Sequence, residues 1–223
     1  MYVESPPHAA LAERVACLWT QEADAPLVQR VVPDGCVDLI WAPDGPHVAG
    51  PDTGPYLAEL APGERFTGLR FKPGGVGGLF GVPVAWLCDR RVPVADLPGV
   101  EVRGPEDLQR AVATLSRGTP DPDAGAGAIA GALRRGRAVA DVAWDLGLSE
   151  RQLNRRCVRA FGYGPKTLQR VVRFQRALRL ARSGARLADV AAASGYADQA
   201  HMARDVRRLA GVPMGRLLEP RAA

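Results

Sequence analysis

The chain has 223 residues, 47% of them apolar, a length that allows one or two domains and an apolar share that allows packed cores. No apolar run approaches the roughly 18 residues of a membrane span, and no basic segment followed by an apolar stretch opens the chain, so it is expected in the cytoplasm and away from membranes. The net charge of +5 hides an asymmetry: residues 1–123 carry ten Lys/Arg and seventeen Asp/Glu, net −7, against nineteen and seven, net +12, in 124–223.

In the first hundred residues, short apolar runs (Val15 to Thr20, Val28 to Val32, Val37 to Trp41, Phe66 to Phe71) alternate with turn formers such as Pro33-Asp34-Gly35, Asp44-Gly45-Pro46 and Pro62-Gly63. Runs bounded in this way predict short strands. The expected fold is a small β-rich barrel or sandwich. Around Val76 to Cys88 the pattern turns helical, with Leu79-Phe80 and Trp86-Leu87 as anchors and Pro83 limiting the length. Gly74-Gly75-Val76-Gly77-Gly78 lacks the lysine and spacing of a phosphate loop and reads as a flexible turn. Gly104-Pro105-Glu106-Asp107 opens a closing helix that Gly118 stops, since proline suits the first helical position and acids suit the positive end of the dipole.

Residues 119–127 have no apolar side chain larger than alanine and read as a linker between a 1–118 domain and a 128–223 domain. Helices then dominate: one anchored by Ile129 and Leu133, another over Val139 to Leu146, and a third from Ser149 to Phe161. Ser149 and Gln152 match a capping box. Pro165 begins a long helix that ends near Ser183-Gly184. The whole is α+β, with an all-α carboxy-terminal part.

That part is internally repeated. Ala140-Asp141-Val142-Ala143 recurs as Ala188-Asp189-Val190-Ala191, 48 residues on, while Leu153/Met202, Arg155/Arg204 and Gly162/Gly211 are 49 apart. A period near 50 marks a duplicated unit, and each copy runs helix, glycine turn, cationic helix, which is the order of a helix-turn-helix. The positive balance fits, because neutralised phosphates release counterions. The recognition helices are expected over about 149–161 and 198–210.

On the first, Leu153, Cys157 and Phe161 face the core at i, i+4, i+8, which leaves Arg151, Asn154 and Arg155 together on another side. Arginine can pair bidentately with guanine and asparagine with adenine in the major groove, although any basic helix surface looks similar. On the second, Met202, Val206 and Leu209 point inward and Gln199, His201 and Arg204 lie near the turn; His201 either bonds to DNA or caps the turn. Arg156, Arg159, Arg207 and Arg208 are phosphate candidates. Arg170, Arg173, Arg176, Arg179 and Arg182 spiral around the long helix as a mostly solvated surface.

From about Ala128 to Leu218 the chain resembles the DNA-binding domain of the AraC/XylS-type transcription regulators. The resemblance rests on the doubled Ala-Asp-Val-Ala, on Gly147-Leu148-Ser149-Glu150-Arg151-Gln152-Leu153, on Phe161-Gly162-Tyr163-Gly164-Pro165 and on Gly195 to Arg204. It implies two helix-turn-helix subdomains joined by a long helix, with Arg151, Asn154, Arg155, Gln199, His201 and Arg204 where bases are met. Cys157 and Val206 stand where phenylalanine is common, which implies a less filled core. The amino-terminal half is similar, through Pro33 to Ile40, Gly50-Pro51 and Gly68 to Gly74, to domains found ahead of such modules. Regulators of this kind use that half to bind a small-molecule effector or to form a homodimer, and an activator would also contact RNA polymerase.

Asp34, Asp38 and Arg70 are the effector-site candidates, set against structural turn and ion-pair roles. His8 and His47 are far apart, so no metal site or cofactor is signalled. Cys17, Cys36, Cys88 and Cys157 form no Cys-x-x-Cys pair and read as buried or idle thiols. Three classes stay open: a double-stranded-DNA-binding regulator without enzymatic activity, a DNA-associated enzyme or cysteine-based repair protein, and a protein-interaction module. The acidic half is also expected to be able to dock on the basic one.

Overall fold

The computed structural model describes residues 1–219, so the last four positions of the expected 128–223 domain lie outside the described residues. The amino-terminal part holds β1 (Tyr2–Ser5), β2 (Val15–Glu22), β3 (Leu27–Val31), β4 (Asp38–Ala42), β5 (Gly45–Ala49), β6 (Tyr56–Leu60), β7 (Arg65–Phe71) and β8 (Arg91–Pro93). Six strands form an antiparallel sheet in the order β1-β2-β7-β4-β5-β8, and β3 pairs with β6 as a separate ribbon. The β-rich class is as expected, but no barrel closes: the short strands β1 and β8 are the edges of an open sheet.

Strand alternation sorts the side chains. Leu39, Val48, Leu69 and Phe71 point to one face and pack with Phe80, Leu87, Leu108 and Val112 into a core. The helix α2 (Leu108–Arg117) packs against β4 and β7 there. Trp19, Gln21, Ile40, His47 and Arg70 point the other way, into a cavity shared with the β3–β6 ribbon. The helix expected around 76–88 is a single turn, α1 (Val84–Leu87). Gly77 and Gly81 adopt left-handed φ of 56° and 69°, which breaks any earlier helix, although Val76, Leu79 and Phe80 still fill the core.

Beyond α2 follow α3 (Ala124–Arg134), α4 (Val139–Asp145), α5 (Glu150–Phe161), α6 (Pro165–Arg182), α7 (Leu187–Ala193), α8 (Gln199–Ala210) and α9 (Met214–Leu218). Residues 124–127 are therefore helical, and only 119–123 connects. The Asp123 carboxylate accepts from the Gly125 amide at 2.8 Å and caps α3. A Cβ at Gly125 would fall 2.3 Å from the Arg156 guanidinium, so the small residues serve close packing where composition suggested flexibility. Both helix-turn-helix units share one core, in which Ile129, Leu153, Phe161, Phe174, Val190 and Met202 meet around α6. Cys157 and Val206 are fully buried in it.

Candidate nucleic-acid interface and effector cavity

The first unit is α4, a turn at Gly147 with φ 63°, and α5. The capping box forms: the Gln152 amide N–H donates to Ser149 Oγ, and the Ser149 N–H donates to Gln152 Oε1 at 2.8 Å. It leaves Arg151, Asn154 and Arg155 exposed on one side of α5, while Leu153, Cys157 and Phe161 are buried. Asn154 Oδ1 lies 2.7 Å from where a Gly164 side chain would start, so its carboxamide lies beside the turn into α6.

The second unit repeats the geometry, with Gly195 at φ 80° between α7 and α8. Asp198, which no expectation gave a capping role, is the N-cap: it accepts from the His201 amide at 2.6 Å. The sequence signal was an acid three residues ahead of a histidine at a helix start. Gln199 and Arg204 are exposed. The half-buried His201 ring stands edge-on to Tyr196, with centroids 5.2 Å apart. Left-handed glycines, Gly162 and Gly211, end α5 and α8.

Among the phosphate candidates, Arg159, Arg207 and Arg208 are exposed, but Arg156 is held by Asp123 in a bidentate pair. The spiral on α6 is less solvated than expected. Arg173 donates to Asp205 of α8 at 2.8 Å and stacks on Tyr196 at 4.3 Å, Arg170 lies 3.6 Å from the same carboxylate, and Arg176 is half-buried; Arg179 and Arg182 are exposed. Three of the five arginines thus fasten α6 to its neighbours.

In the amino-terminal part, Asp34, Asp38 and Arg70 all line a cavity of about 400 Å³. Asp38 and Arg70 sit directly opposite across β4 and β7, with Nε to Oδ1 3.1 Å, and Trp19 Nε1 donates to the same oxygen at 2.9 Å. Burial pushes the Asp38 carboxyl up, against the pull of Arg70. Burial also works to lower Arg70, but Asp38 and Asp34 outweigh it and leave the guanidinium more firmly protonated. Across the cavity Arg91 pairs bidentately with Asp52 at 2.7 and 2.8 Å and lies over the Tyr56 ring. A Cβ at Gly68 would fall 2.1 Å from the Trp19 ring, so glycine is what lets the indole lie across β7. Gly68→Ala should displace Trp19, break its bond to Asp38 and lower the unfolding midpoint, with a blue- or red-shifted tryptophan emission; an unchanged spectrum and midpoint would contradict this packing.

Residues 142–219 match a family model described as "Helix-turn-helix domain", and residues 3–93 match "Domain of unknown function (DUF6597)". The carboxy-terminal segment is an AraC-type helix-turn-helix domain. Such a domain binds DNA and is carried by transcription regulators. Two solved structures of ToxT from Vibrio cholerae are similar in outline. The apo variant from strain SCE256 has TM-score 0.48 at 12% identity, covering 90% of this chain and 96% of that one; the protein from O395 has 0.46 at 9%, covering 90% and 95%. No curated protein matches the chain.

The AraC-type domain is docked on the cavity-bearing part, though not by charge. Among the described residues no ion pair joins 1–118 to 124–219. Instead Gln175 of α6 donates to the Pro33 carbonyl at 2.6 Å, Arg30 of β3 donates to the Ala210 carbonyl at the end of α8 at 3.0 Å, and Gly162 packs near Pro51 and Val84. Gly74, at φ 82°, packs on Ala126 and Phe161, so the glycine-rich turn is an interdomain contact. The Tyr163 hydroxyl is buried against Gly35, without a hydrogen-bond partner among the described residues. Burial raises all four thiols, Cys88 to about 11 and Cys157 to about 12, which is the opposite of an activated repair nucleophile.

Proposed function

We propose that the chain is a sequence-specific transcription regulator whose helices α5 and α8 enter adjacent major grooves. Arg151, Asn154 and Arg155 read one half-site; Gln199, His201 and Arg204 read the other. Arg159, Arg207 and Arg208 hold phosphates, and Arg156 joins them on leaving Asp123. The observation that carries this reading is the doubled exposure: two twelve-residue helices, each opened by a side-chain cap, closed by a left-handed glycine, and free on its cationic side. At roughly 1.5 Å per residue the eighteen residues of α6 span about 27 Å, comparable to the roughly 34 Å of one DNA turn.

The cavity is the effector site in this reading, and its walls carry the signal. Along β3, Gln29 and Val31 face the cavity while Arg30, between them, holds the end of α8. In the following loop Asp34 and Cys36 face the cavity while Pro33 and Gly35 meet Gln175 and Tyr163 of the AraC-type domain. An occupant that moves either wall changes the footing of a recognition helix, and through it the affinity for DNA. The test is selection of bound fragments from genomic DNA with the full chain, followed by shift titrations at rising salt. Enrichment of a common sequence that is retained at high salt is expected. Uniform binding that collapses with salt would leave only non-specific attraction.

A further inference from the structure

Resting on the reading of the cavity as an effector site, we propose that its ligand is an organic cation, a protonated amine carried on an apolar body. Six carboxylates line the cavity, from Asp34, Asp38, Asp44, Asp52, Glu59 and Glu64, against two arginines, Arg70 and Arg91. Both arginines are already engaged, with Asp38 and Asp52. By charge the carboxylates exceed the arginines by four, although Asp34 also lies 3.8 Å from Arg70, and His47, whose pKa burial lowers, does not offset them. An anionic ligand would have to displace Asp38 from Arg70 or Asp52 from Arg91 and meet the remaining acids.

Polar groups without partners point to an occupant. Gln21 is only 6% exposed, faces the cavity beside Trp19, and has no side-chain hydrogen bond among the described residues. Gln29 Oε1, on the opposite wall, is the fully buried acceptor of the two and has no hydrogen-bond partner among the described residues. A buried acceptor without a donor is costly, and an ammonium supplies up to three donors. Tyr2 and Trp19, with ring centroids 6.1 Å apart, and Phe66 provide an apolar and π-electron bed for the rest of the molecule. The volume of about 400 Å³ lies within the usual range for small-molecule sites.

Calorimetric titration of the full chain with two matched sets tests this: phenethylamine, phenethyl alcohol and hydrocinnamate, then hexylamine, hexanol and hexanoate. The amines should bind at least about tenfold more tightly than the alcohols, and the carboxylates should not bind. Asp34→Asn combined with Glu64→Gln, which keep acceptors for the Cys36 and Ala61 amides, should weaken the amines by about tenfold while the chain still unfolds cooperatively. Amine affinity should also fall as the pH drops into the carboxylate range, where Asp38 and Asp52, both raised by burial, take up protons first. Carboxylates binding in preference, with that binding lost in Gln21→Leu, would overturn the cation and keep the site. Amine binding that no cavity substitution changes, or no binding of any probe, would overturn the assignment.

Discussion

Replacing Arg155 and Arg204 together by alanine should remove most sequence-specific retention of DNA. Each bidentate arginine–guanine contact is worth about 1–3 kcal/mol, and the two lie on different recognition helices, so about 2–6 kcal/mol is expected together, roughly thirty-fold to ten-thousand-fold in affinity. Both side chains are exposed, so stability should stay within about 0.5 kcal/mol of the parent. Fluorescence anisotropy on the selected duplex and on single-base variants measures the effect. Arg155→Ala alone should relax the preference at one base position, and Arg159→Ala should weaken all duplexes alike and reduce the salt slope by about 1. Equal losses on every sequence would reassign Arg155 to phosphate.

Arg70→Leu should be among the most destabilising single changes in the amino-terminal part. It leaves Asp38 buried without its cross-strand partner, with Asp34 3.8 Å from the vacated position. Breaking a buried pair costs about 3–5 kcal/mol, and since the two side chains keep 26% and 15% exposure, about 2–3 kcal/mol is expected here. For a chain of this size that lowers the midpoint by roughly 4–12 °C. The pH dependence has a definite sign. Asp38 already titrates above its unfolded value, and losing Arg70 raises it further, so the folded state binds the proton more tightly than the unfolded one. Stability of the variant relative to the parent therefore recovers as pH falls through that raised pKa and is lost as pH rises. Thermal scans across the acidic range check it, and a deficit that grows on acidification would contradict it.

The carboxy-terminal architecture was legible because its signals are local. A serine with a glutamine three residues on, glycines after apolar stripes and an eighteen-residue proline-started helix each define their own element, and the structure reproduces them within a residue or two. The strands that were missed, β1, β5, β6 and β8, lack such signals: β5 contains Pro46 and β8 Pro93, and pairing with a neighbour is what makes them strands. Residues 124–127 are helical where composition suggests a linker, because small residues look alike whether they permit flexibility or close approach, and only Arg156 lying on Gly125 distinguishes the two. Asp34, Asp38 and Arg70 stood out as polar groups beside apolar runs, and the sheet brings them together. Gln21, Gln29, Arg30 and Gln175 did not stand out, because the roles of Arg30 and Gln175 depend on partners 180 and 142 residues away and those of Gln21 and Gln29 on a cavity that no stretch of sequence encodes.

Chemical footprinting of the full chain on its selected fragment tests the paired arrangement of α5 and α8 most directly. Two major-groove patches protected about ten base pairs apart, one lost in Arg155→Ala and the other in Arg204→Ala, are the expected result. A single patch, or two patches that respond identically to both substitutions, would contradict it.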